Sequence, residues 1–464
     1  MTPPMATTLA VFSTVPFEHA LAYLRFRAAA ESLGWNIIFG KEDENTIYPE
    51  RVGGADFVLI QRDFPRFWEG YQQVIAAARK ENIPILYDLD DALIALPENH
   101  PSRLDYQECL ESILLALVDA DRVIVSSSLL AEIVSPFNDD VVVWDTLLPD
   151  LVWKIRPPLP PGQGLPVKIG YMGGLTHDED LHLLTTVFSR LVEKFGANLE
   201  FVFWGTQPLG QLSAQTNTQF FPEVPAYPAF AEAFAQAQAD IWVAPLQDNI
   251  FNRCKSAIKF WEYSAIGGTG VFSRIPPYQK VVHSGENGLL AGSEEEWYQA
   301  IEYLIQNPDA RYRMGQQAHQ DLMEHGLLSA HLWEWENIFR GARSNARKLQ
   351  NRSAFQQAVV RFSVQLQQRS AEKERRLSQY IQEYLSLMQQ HDILTQQVVQ
   401  LEREQALLKE YIRVLEDRSS QLHAILHSRS WKLLLRFAKL RRLDFSPLHI
   451  PSPPEPPEGL HQGS

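Results

Sequence analysis

The chain has 464 residues, a formal net charge of −14 at pH 7 and two cysteines, Cys109 and Cys254. The acidic balance argues against a dedicated nucleic-acid binder, and two distant cysteines provide neither a disulfide framework nor a cysteine-based zinc site. No stretch approaches the roughly 20 apolar residues of a transmembrane helix, and the N-terminus lacks the features of a signal peptide. We therefore expect a cytoplasmic protein of two or three units.

Short apolar segments alternate with amphipathic ones in the first third of the chain. The strand-like segments "TTLAVFST", "WNIIFG", "ADFVLIQ", "IPILYDL", "DRVIVSS" and "DDVVVWD" are separated by helical ones such as "EHALAYLRFRAAAESLG". This alternation predicts a parallel sheet connected by right-handed crossovers. Because "RPPLPPGQGLP" at 156–166 is a stiff connection, we assign residues 1–157 to a first Rossmann-like domain.

Acidic residues follow one of these strands, in "YDLDDAL". The Asp-Leu-Asp sequence at 88–90 formally matches the pair with which some nucleotide-sugar enzymes hold a divalent metal, but aspartate also favours turns and helix caps. We expect no metal and keep Asp90 and Asp91 as candidates on this side of a cleft. His100 is either a polar contact in that cleft or an ordinary surface residue.

The alternation begins again after the connection, with "VKIGYMGG", "DLHLLTTVFSRLVEKFG", "LEFVFWG" and "ADIWVAPL", and predicts a second Rossmann-like domain at 158–345. Paired sheets of this kind bind ligands at the carboxyl ends of their strands, in the cleft between the domains. Gly173 and Gly174 permit close approach of a ligand to the backbone, and the helix that follows favours a phosphate. His177 either contacts the substrate or helps Asp178 to cap that helix.

The segment "NRCKSAIKFWEYSAIGG" at 252–268 predicts one helix that ends at two glycines before the strand "TGVFS". Lys255, Lys259 and Glu262 occupy positions i, i+4 and i+7 and therefore share a face. That face is either a solvated surface with ordinary ion pairs or a ligand site. In a cleft, the two cations would balance a diphosphate and the carboxylate would accept hydrogen bonds from a ribose diol.

From here the sequence resembles a GT-B glycosyltransferase, closest to family 4 and its bacterial surface-polysaccharide relatives. The donor-site region of that family is matched in order: a proline after a strand, a lysine-containing helix ending in Glu-Tyr, a glycine turn and "NGLL". "IGYMGGLTHDEDL" resembles the first strand and loop of the donor domain, and "ADRVIVSSSLLAEIV" the last strand and helix of the acceptor domain. The resemblance covers roughly residues 8–340 and implies two Rossmann-like domains that face a cleft, the first for the acceptor and the second for the nucleotide-sugar.

The resemblance also implies roles for single residues. Glu262 matches the second acid of the E-x7-E motif, which contacts the ribose of the sugar donor, and Lys255 and Lys259 match basic contacts to the diphosphate. Cys254 stands where the family has the first acid, which usually contacts the transferred sugar.

Two further matches lie outside this motif, and the second of them is weak. Asn287, Gly288 and Leu289 match a segment near the nucleotide, and Arg25 in "AYLRF" matches an arginine near the acceptor loop. The implied activity is a hexosyl transfer, retaining and without a metal cofactor, from a nucleotide-sugar to a glycan or lipid-linked acceptor in surface-polysaccharide synthesis. Two alternatives stay open: a nucleotide-sugar epimerase or phosphorylase of the same fold, and a non-catalytic scaffold that assembles a polysaccharide machine.

The composition changes to Gln, Glu, Arg and Leu at 355–427, where apolar residues follow a heptad pattern. Leucine occupies nearly every d position, which is compatible with a parallel dimer, so we expect a homodimer formed by a coiled coil; a long helix that folds back onto the domains is the alternative. The d positions are Tyr380, Leu387, Leu394, Leu401, Leu408, Leu415 and Leu422, and the a positions are Leu377, Tyr384, His391, Val398, Gln405, Ile412 and Ser419.

The last segments are basic and then proline-rich. "SRSWKLLLRFAKLRRL" predicts a basic amphipathic helix at 428–446, suited either to an anionic membrane surface or to an acidic face of this same protein. Residues 447–464 are expected to be a disordered tail. The first alternative implies a peripheral position on the inner face of the membrane.

Overall fold

The computed structural model describes residues 6–43, 46–160, 166–174, 178–207, 217–344 and 353–429, together with 432–433, 436 and 439. The chain divides into two compact units, Met1–Gln368 and Arg369–Ser464. The first unit contains both predicted α/β domains, here called the first and second domain.

The first domain is built on a parallel sheet of six described strands in the order β2-β1-β3-β4-β5-β6. The strand order reverses between β1 and β3, so the carboxyl ends of these strands lie at the position where doubly wound sheets bind ligands. Most of its central strands are fully buried, as near-continuous apolar segments require. The strands are β1 Thr8–Phe12, β2 Asn36–Phe39, β3 Phe57–Gln61, β4 Ile85–Leu89, β5 Arg122–Val125 and β6 Val141–Val143.

The second domain repeats this architecture with the order β9-β8-β7-β10-β11-β12, again entirely parallel. Its reversal point lies between β7 and β10, so the glycine turn after β7 and Pro245 after β10 stand together at the expected ligand position. The strands are β7 Val167–Met172, β8 Leu199–Trp204, β9 Asn217–Phe221, β10 Ile241–Ala244, β11 Gly270–Ser273 and β12 Leu289–Ala291. The prediction of two Rossmann-like domains is confirmed.

Helices cover both faces of each sheet. The helical segments of the first domain are Ala20–Ala22, Tyr23–Arg27 (a π-helical turn), Ala28–Ser32, Pro49–Val52, Phe64–Arg66, Trp68–Glu81, Leu93–Ala95, Arg103–Gln107, Leu110–Asp119 and Ser128–Val134. Those that follow β7 are Asp178–Leu181, His182–Leu184, Thr185–Phe195, Gly196–Asn198, Tyr227–Phe234, Ile250–Arg253, Ile258–Ala265, Pro276–Gln279, Glu294–Gln306, Pro308–Asp321, Leu322–Gly326 and Leu328–Gly341.

The chain returns to the first domain at Leu328–Gly341, although the predicted boundary assigns this helix to the second domain. Trp335 and Phe339 pack on Trp35, with ring centroids 5.0 and 5.4 Å from its ring. The Trp335 indole N–H also donates to the backbone carbonyl of Arg25 at 3.3 Å. This packing depends on aromatic residues about 300 positions apart, which local sequence patterns do not connect.

Replacement of Trp335 by alanine is expected to lower the free energy of unfolding by about 3–5 kcal/mol, because a buried indole and its hydrogen bond are lost. Trp333 provides a matched control on the same helix, since it is 63% exposed whereas Trp335 is 1% exposed. Trp333→Ala should change stability by less than about 0.5 kcal/mol. Urea denaturation followed by circular dichroism checks both values, and similar losses for the two variants would contradict the packing described.

One long helix, Ala354–His427, occupies the predicted coiled-coil segment. It begins with a reciprocal cap in which the Gln356 backbone N–H donates to Ser353 Oγ and the Ser353 backbone N–H donates to Gln356 Oε1. The d-position residues Leu387, Leu394 and Leu401 are 60–62% exposed in the single chain. Within the described residues no helix has the length and apolar character needed to cross a membrane.

Candidate active site

A cavity of about 300 Å³ lies between the two domains, at the carboxyl ends of their strands. The first domain contributes Arg25, Asp90 and Asp91 to its lining. From the second domain come Gly173, Gly174, Trp204, Glu223, Tyr227, Lys255, Lys259 and Glu262. The predicted cleft is therefore present, and it brings together most of the candidate residues.

The segment that carries the three charged candidates is not one helix. It forms Ile250–Arg253 and Ile258–Ala265, with a break between them in which Lys255 lies. The break has a tertiary cause, because the Cys254 carbonyl accepts hydrogen bonds from Ser127 Oγ at 2.9 Å and Ser126 Oγ at 3.3 Å. These first-domain hydroxyls replace the helical N–H partner, yet Lys255 still lines the same cavity as the other two residues.

Lys259 is a buried cation. Its Nζ makes no hydrogen bond to any described residue and lies 5.2 Å from the centroid of the Tyr171 ring. Burial, followed by the nearby charge of Lys255, lowers the pKa of Lys259 to about 8. Since a buried charge without hydrogen bonds is costly, an anion that entered the cavity would stabilise this ammonium.

The glycine turn leaves space beside this ammonium. A Cβ atom added at Gly173 would lie 2.5 Å from Tyr171 Oη and 3.1 Å from Lys259 Nζ, so a side chain would fill the place that an anion would occupy. Gly205 supports the turn with φ of +84°, and a Cβ there would lie 2.6 Å from the Gly173 carbonyl oxygen. Both positions therefore require glycine.

The helix that follows the glycine turn is less suited to bind a phosphate than the sequence pattern suggests. It is divided, and its first segment, Asp178–Leu181, has only four residues and begins with three acids. Carboxylates at this position disfavour a phosphate. The candidate His177 lies outside the described residues.

Glu262 is buried in the wall of the cavity, one turn from Lys259. Its Oε1 accepts a hydrogen bond from the Tyr227 hydroxyl at 2.9 Å, and that hydroxyl accepts one from Trp153 Nε1–H at 3.3 Å. Burial raises the pKa of Glu262 to about 7, although the Tyr227 hydrogen bond and the Lys259 charge oppose this shift. Tyr227 was missed by the sequence patterns, because "AYPAF" matches no motif and only its proline indicates a helix start.

Arg25 lines the cavity but its guanidinium is already engaged. Nη2 and Nε donate to Asp88 Oδ1 at 2.7 and 3.1 Å, and Nη1 donates to the Trp144 carbonyl at 2.6 Å. Both side chains of this ion pair are almost fully buried. Asp88 therefore holds an arginine in this structure, which favours a structural role over the metal-binding interpretation of the Asp-Leu-Asp sequence.

Asp90 and Asp91 both pair with Arg62, a residue that the sequence patterns did not single out. Arg62 has φ of 49°, which is uncommon for a non-glycine residue and often marks a functional site. Burial raises the pKa of Asp90 to about 6, and the Arg62 charge opposes that shift. No group of three or more potential metal ligands occurs among the residues that the structure describes.

His100 does not line this cavity. Its ring contacts Phe251 at 5.0 Å between centroids, and its Nδ1 accepts the Ser102 backbone N–H at 3.1 Å. Burial and then the charge of Lys255 lower its pKa. It borders a smaller pocket that shares Lys255 with the cavity.

The segment Asn287, Gly288 and Leu289 is likewise not brought to the cavity. The Asn287 amide donates to Asp321 Oδ2 at 2.6 Å and to the Val281 carbonyl at 2.9 Å, and its oxygen accepts the His283 backbone N–H. These bonds stabilise the turn that leads into β12. The amide is thus engaged within the protein rather than directed at a ligand.

Cys254 is fully buried and packs in the core that contains residues of the first domain. Burial raises the pKa of its thiol to about 12. The position of the family's first acid therefore presents no carboxylate to the cavity. A different acid, Glu223, lines the cavity opposite Gly174, and no sequence pattern indicated it.

Residues 166–307 match the family model described as Glycosyl transferases group 1. This range contains the glycine turn, Lys255, Lys259 and Glu262. No curated protein sequence matches the chain.

Solved structures of low sequence identity share the fold. Sucrose-phosphate synthase from Thermosynechococcus elongatus is 14% identical, with 72% of this chain and 98% of that chain covered and a TM-score of 0.52. HepE from Anabaena, solved with UDP and glucose, is 13% identical, with 72% and 99% covered and a TM-score of 0.51. TarM from S. aureus is 13% identical with a TM-score of 0.46, over 61% of this chain and only 55% of TarM.

The strand orders, the interdomain cavity and the family match have one common interpretation. They show a two-domain GT-B fold in which residues 166–307 match the glycosyl transferases group 1 family.

Proposed function

We propose that the chain transfers a hexosyl group from a nucleotide diphosphate to a hydroxyl of a glycan or lipid-linked acceptor, with retention of configuration and without a metal cofactor. The observation that carries this proposal is the buried Lys259 ammonium, which has no hydrogen-bond partner among the described residues and borders the cavity beside Gly173. A diphosphate is the anion that a nucleotide-sugar would place there.

The neighbouring residues would accommodate the other parts of the sugar donor when its diphosphate lies beside Lys259. Glu262 lies one helical turn from Lys259, at a suitable position to accept hydrogen bonds from the ribose diol. Trp204 and Phe230 form part of an apolar wall on which the nucleobase would pack. Lys255, at the helix break, would add a second positive charge beside the diphosphate.

This arrangement also specifies how the chain would accelerate the reaction. The acceptor oxygen bonds to the anomeric carbon on the face from which the diphosphate departs, and the bond to the diphosphate breaks. Negative charge develops on the leaving diphosphate, whose oxygen takes up the acceptor proton. Lys259 and Lys255 would stabilise that charge. Asp90 and Asp91, on the first domain, are the carboxylates closest to the acceptor side, and we assign neither as a general base.

Calorimetric titration of the intact protein with UDP, GDP and their common sugars tests the proposal. UDP is the first choice, since HepE has been solved with it and shares the fold. Saturable binding of one nucleotide class, and release of that nucleotide on addition of acceptor glycans in the presence of EDTA, would support transfer without a divalent metal. Absence of binding by every nucleotide would contradict it.

A non-catalytic scaffold is the second candidate function, and Cys254 is the observation that favours it. The structure has no carboxylate at this position of the motif, so contact with the transferred sugar must come from elsewhere. A scaffold that keeps the nucleotide site would bind UDP or GDP. It would not, however, release UDP or GDP from a nucleotide-sugar during incubation. Slow hydrolysis of the nucleotide-sugar, or slow transfer of its sugar, by the wild-type protein would exclude the scaffold function.

We further propose that the long helix forms a parallel homodimer. In a parallel in-register pair, each polar a residue meets its own copy, whereas in an antiparallel pair it would face an apolar d residue. These polar residues are His391, Gln405 and Ser419. Glu404 at g would also attract Lys409 at e of the second chain.

Two lysine substitutions test this dimer. Leu401→Lys combined with Leu408→Lys is expected to convert the full-length dimer into a monomer, because like charges would then occupy successive d layers. Gln400→Lys, at an exposed position outside the a and d rows, should leave the dimer intact. Light scattering after size exclusion measures the mass, and a monomeric wild-type protein would contradict the proposal.

We also propose that residues 428–446 bind an anionic membrane surface and thereby bring the enzyme to the inner face of the membrane, where surface polysaccharides are assembled. The described part includes the cations Arg429, Lys432, Arg436 and Lys439. Deletion of 428–446 is expected to abolish sedimentation with phosphatidylserine-containing vesicles, since each cation near such a surface contributes about 1 kcal/mol. Neutral phosphatidylcholine vesicles are the control, and unchanged sedimentation of the deletion variant would overturn the proposal.

A further inference from the structure

Tyr227 lies where three parts of the chain meet. Its hydroxyl donates to Glu262 Oε1 at 2.9 Å and accepts from Trp153, which belongs to the segment between the two sheets. Its ring stacks on Tyr23 of the first domain, with centroids 5.7 Å apart and planes inclined by 29°. A residue of the second domain is thus held on two sides by groups outside that domain's sheet and helices.

The backbone of Tyr227 is also attached to the first domain. Its N–H donates to the Glu18 carbonyl at 2.8 Å, and the preceding Ala226 forms a β-bridge with His19. Docking of the first domain therefore adds backbone and ring contacts that hold Tyr227 in this position. Separation of the domains would break the bridge and the ring stacking together.

Glu262 depends on this hydroxyl for its orientation. Tyr227 makes the one hydrogen bond to Oε1 from the described residues, and Oε2 makes none with them. A carboxylate fixed through Oε1 presents Oε2 to a ligand in the cavity, in the manner that a ribose diol requires.

We propose that Tyr227 is a positioning residue for the nucleotide site: it orients Glu262 toward the ribose, and it does so only when the two domains are docked. This inference rests on the proposed function, in which Glu262 contacts the ribose. Tyr227 itself acts through Glu262. Domain docking and ribose recognition are then coupled by a single hydroxyl group.

The charges around Glu262 indicate a second consequence. The groups that act on its charge are the Tyr227 hydroxyl and the Lys259 ammonium, and the phenols of Tyr263 and Tyr278 lie close enough to sense it. Loss of the Tyr227 hydroxyl removes one of the two groups that favour the ionised form. The pKa of Glu262 should consequently rise above its value of about 7 in the Tyr227→Phe variant.

The test compares binding of UDP with binding of 2′,3′-dideoxy-UDP, which lacks the diol. In the wild-type protein we expect a preference for UDP of at least tenfold. Tyr227→Phe should reduce this preference to about threefold or less, mainly by weakening the binding of UDP. The reason is that a misoriented carboxylate forms poor hydrogen bonds with the diol. A merely structural role would weaken both ligands equally.

Tyr263→Phe is the matched control, since Tyr263 is buried on the Glu262 helix and its hydroxyl donates to the Val243 carbonyl at 3.1 Å. It should keep the wild-type preference. Trp153→Phe and Tyr23→Leu test the docking part, and each should lower the preference although neither residue contacts the ribose. Circular dichroism verifies that each variant is folded.

Three outcomes are distinguishable. If Tyr227→Phe kept the wild-type preference for UDP over 2′,3′-dideoxy-UDP, the positioning role of Tyr227 would be overturned. If both Trp153→Phe and Tyr23→Leu kept that preference, the dependence of this role on domain docking would be overturned. If the wild-type protein bound neither UDP nor GDP, the proposed function itself would fail, and this inference with it.

Discussion

Replacement of Lys259 by methionine is expected to lower the affinity for a nucleoside diphosphate by roughly 30- to 100-fold, about 2–2.7 kcal/mol. The reason is the loss of a charge-assisted bond between the buried Lys259 ammonium and the diphosphate. Calorimetric titration of the wild-type protein and the variant measures the difference. Lys154→Met is the control, because Lys154 is an exposed lysine that pairs with Glu232 away from the cavity.

The same substitution should raise the stability of the ligand-free protein. Wild-type Lys259 carries a buried charge with no hydrogen-bond partner among the described residues, and methionine of similar length removes that desolvation cost. Its pKa of about 8 lies below the ordinary value of 10.5, so the unfolded chain binds more protons between these values. Wild-type stability should therefore rise with pH from about 8 to 10.5, and the variant should lack this rise.

Opposite effects on binding and stability distinguish a ligand site from an ordinary core lysine. Denaturant midpoints at pH 7 and at pH 10 give the stability part of the test. A variant that lost both binding and stability would show that Lys259 supports the fold, and the anion site would then have to be sought elsewhere.

Binding of a nucleotide-sugar is expected to strengthen as the pH rises through about 7 and to weaken again above about 8. The first limb reports ionisation of Glu262, which accepts hydrogen bonds from a diol only as the carboxylate, and the second reports deprotonation of Lys259. The sugar form of the nucleotide is the appropriate probe, because a terminal phosphate would itself titrate near pH 6.

Glu262→Gln should remove the lower limb and reduce the affinity at pH 7.5 by about tenfold, or 1.4 kcal/mol. The contribution of Glu262 to stability has a pH dependence opposite to its contribution to binding. The Glu262 pKa is raised from 4.5, so the folded form binds more protons between 4.5 and about 7, and this contribution to stability is lost as the pH rises through that window.

Glu232→Gln, at an exposed carboxylate, is the control for both measurements. Titrations at pH 6, 7.5 and 9 define the two limbs. A lower limb that persisted in Glu262→Gln would assign the titration to another group, with Asp90 the next candidate because its raised pKa is about 6.

Local sequence determined the strands, the helices and the helix faces of this protein, because these features depend on residues that are neighbours along the chain. Apolar strands alternating with amphipathic helices predicted two parallel α/β domains, and heptad spacing predicted a helix that the structure places at Ala354–His427. Lys259 and Glu262 were correctly placed on one helical face, since residues three apart are neighbours in any helix. Periodicity of this kind is a local property, and no distant contact is needed to recognise it.

Tertiary structure decided which side chains are available to a ligand. Arg25 is engaged by Asp88, 63 positions away, and Asn287 is engaged by Asp321, whereas Lys259 is left with no hydrogen-bond partner among the described residues. The helix break at Cys254 likewise depends on serine hydroxyls of the other domain, and Glu262 meets Tyr227 across 35 residues. A buried polar group must find a partner wherever the folded chain supplies one, and that choice depends on packing between distant segments rather than on sequence spacing.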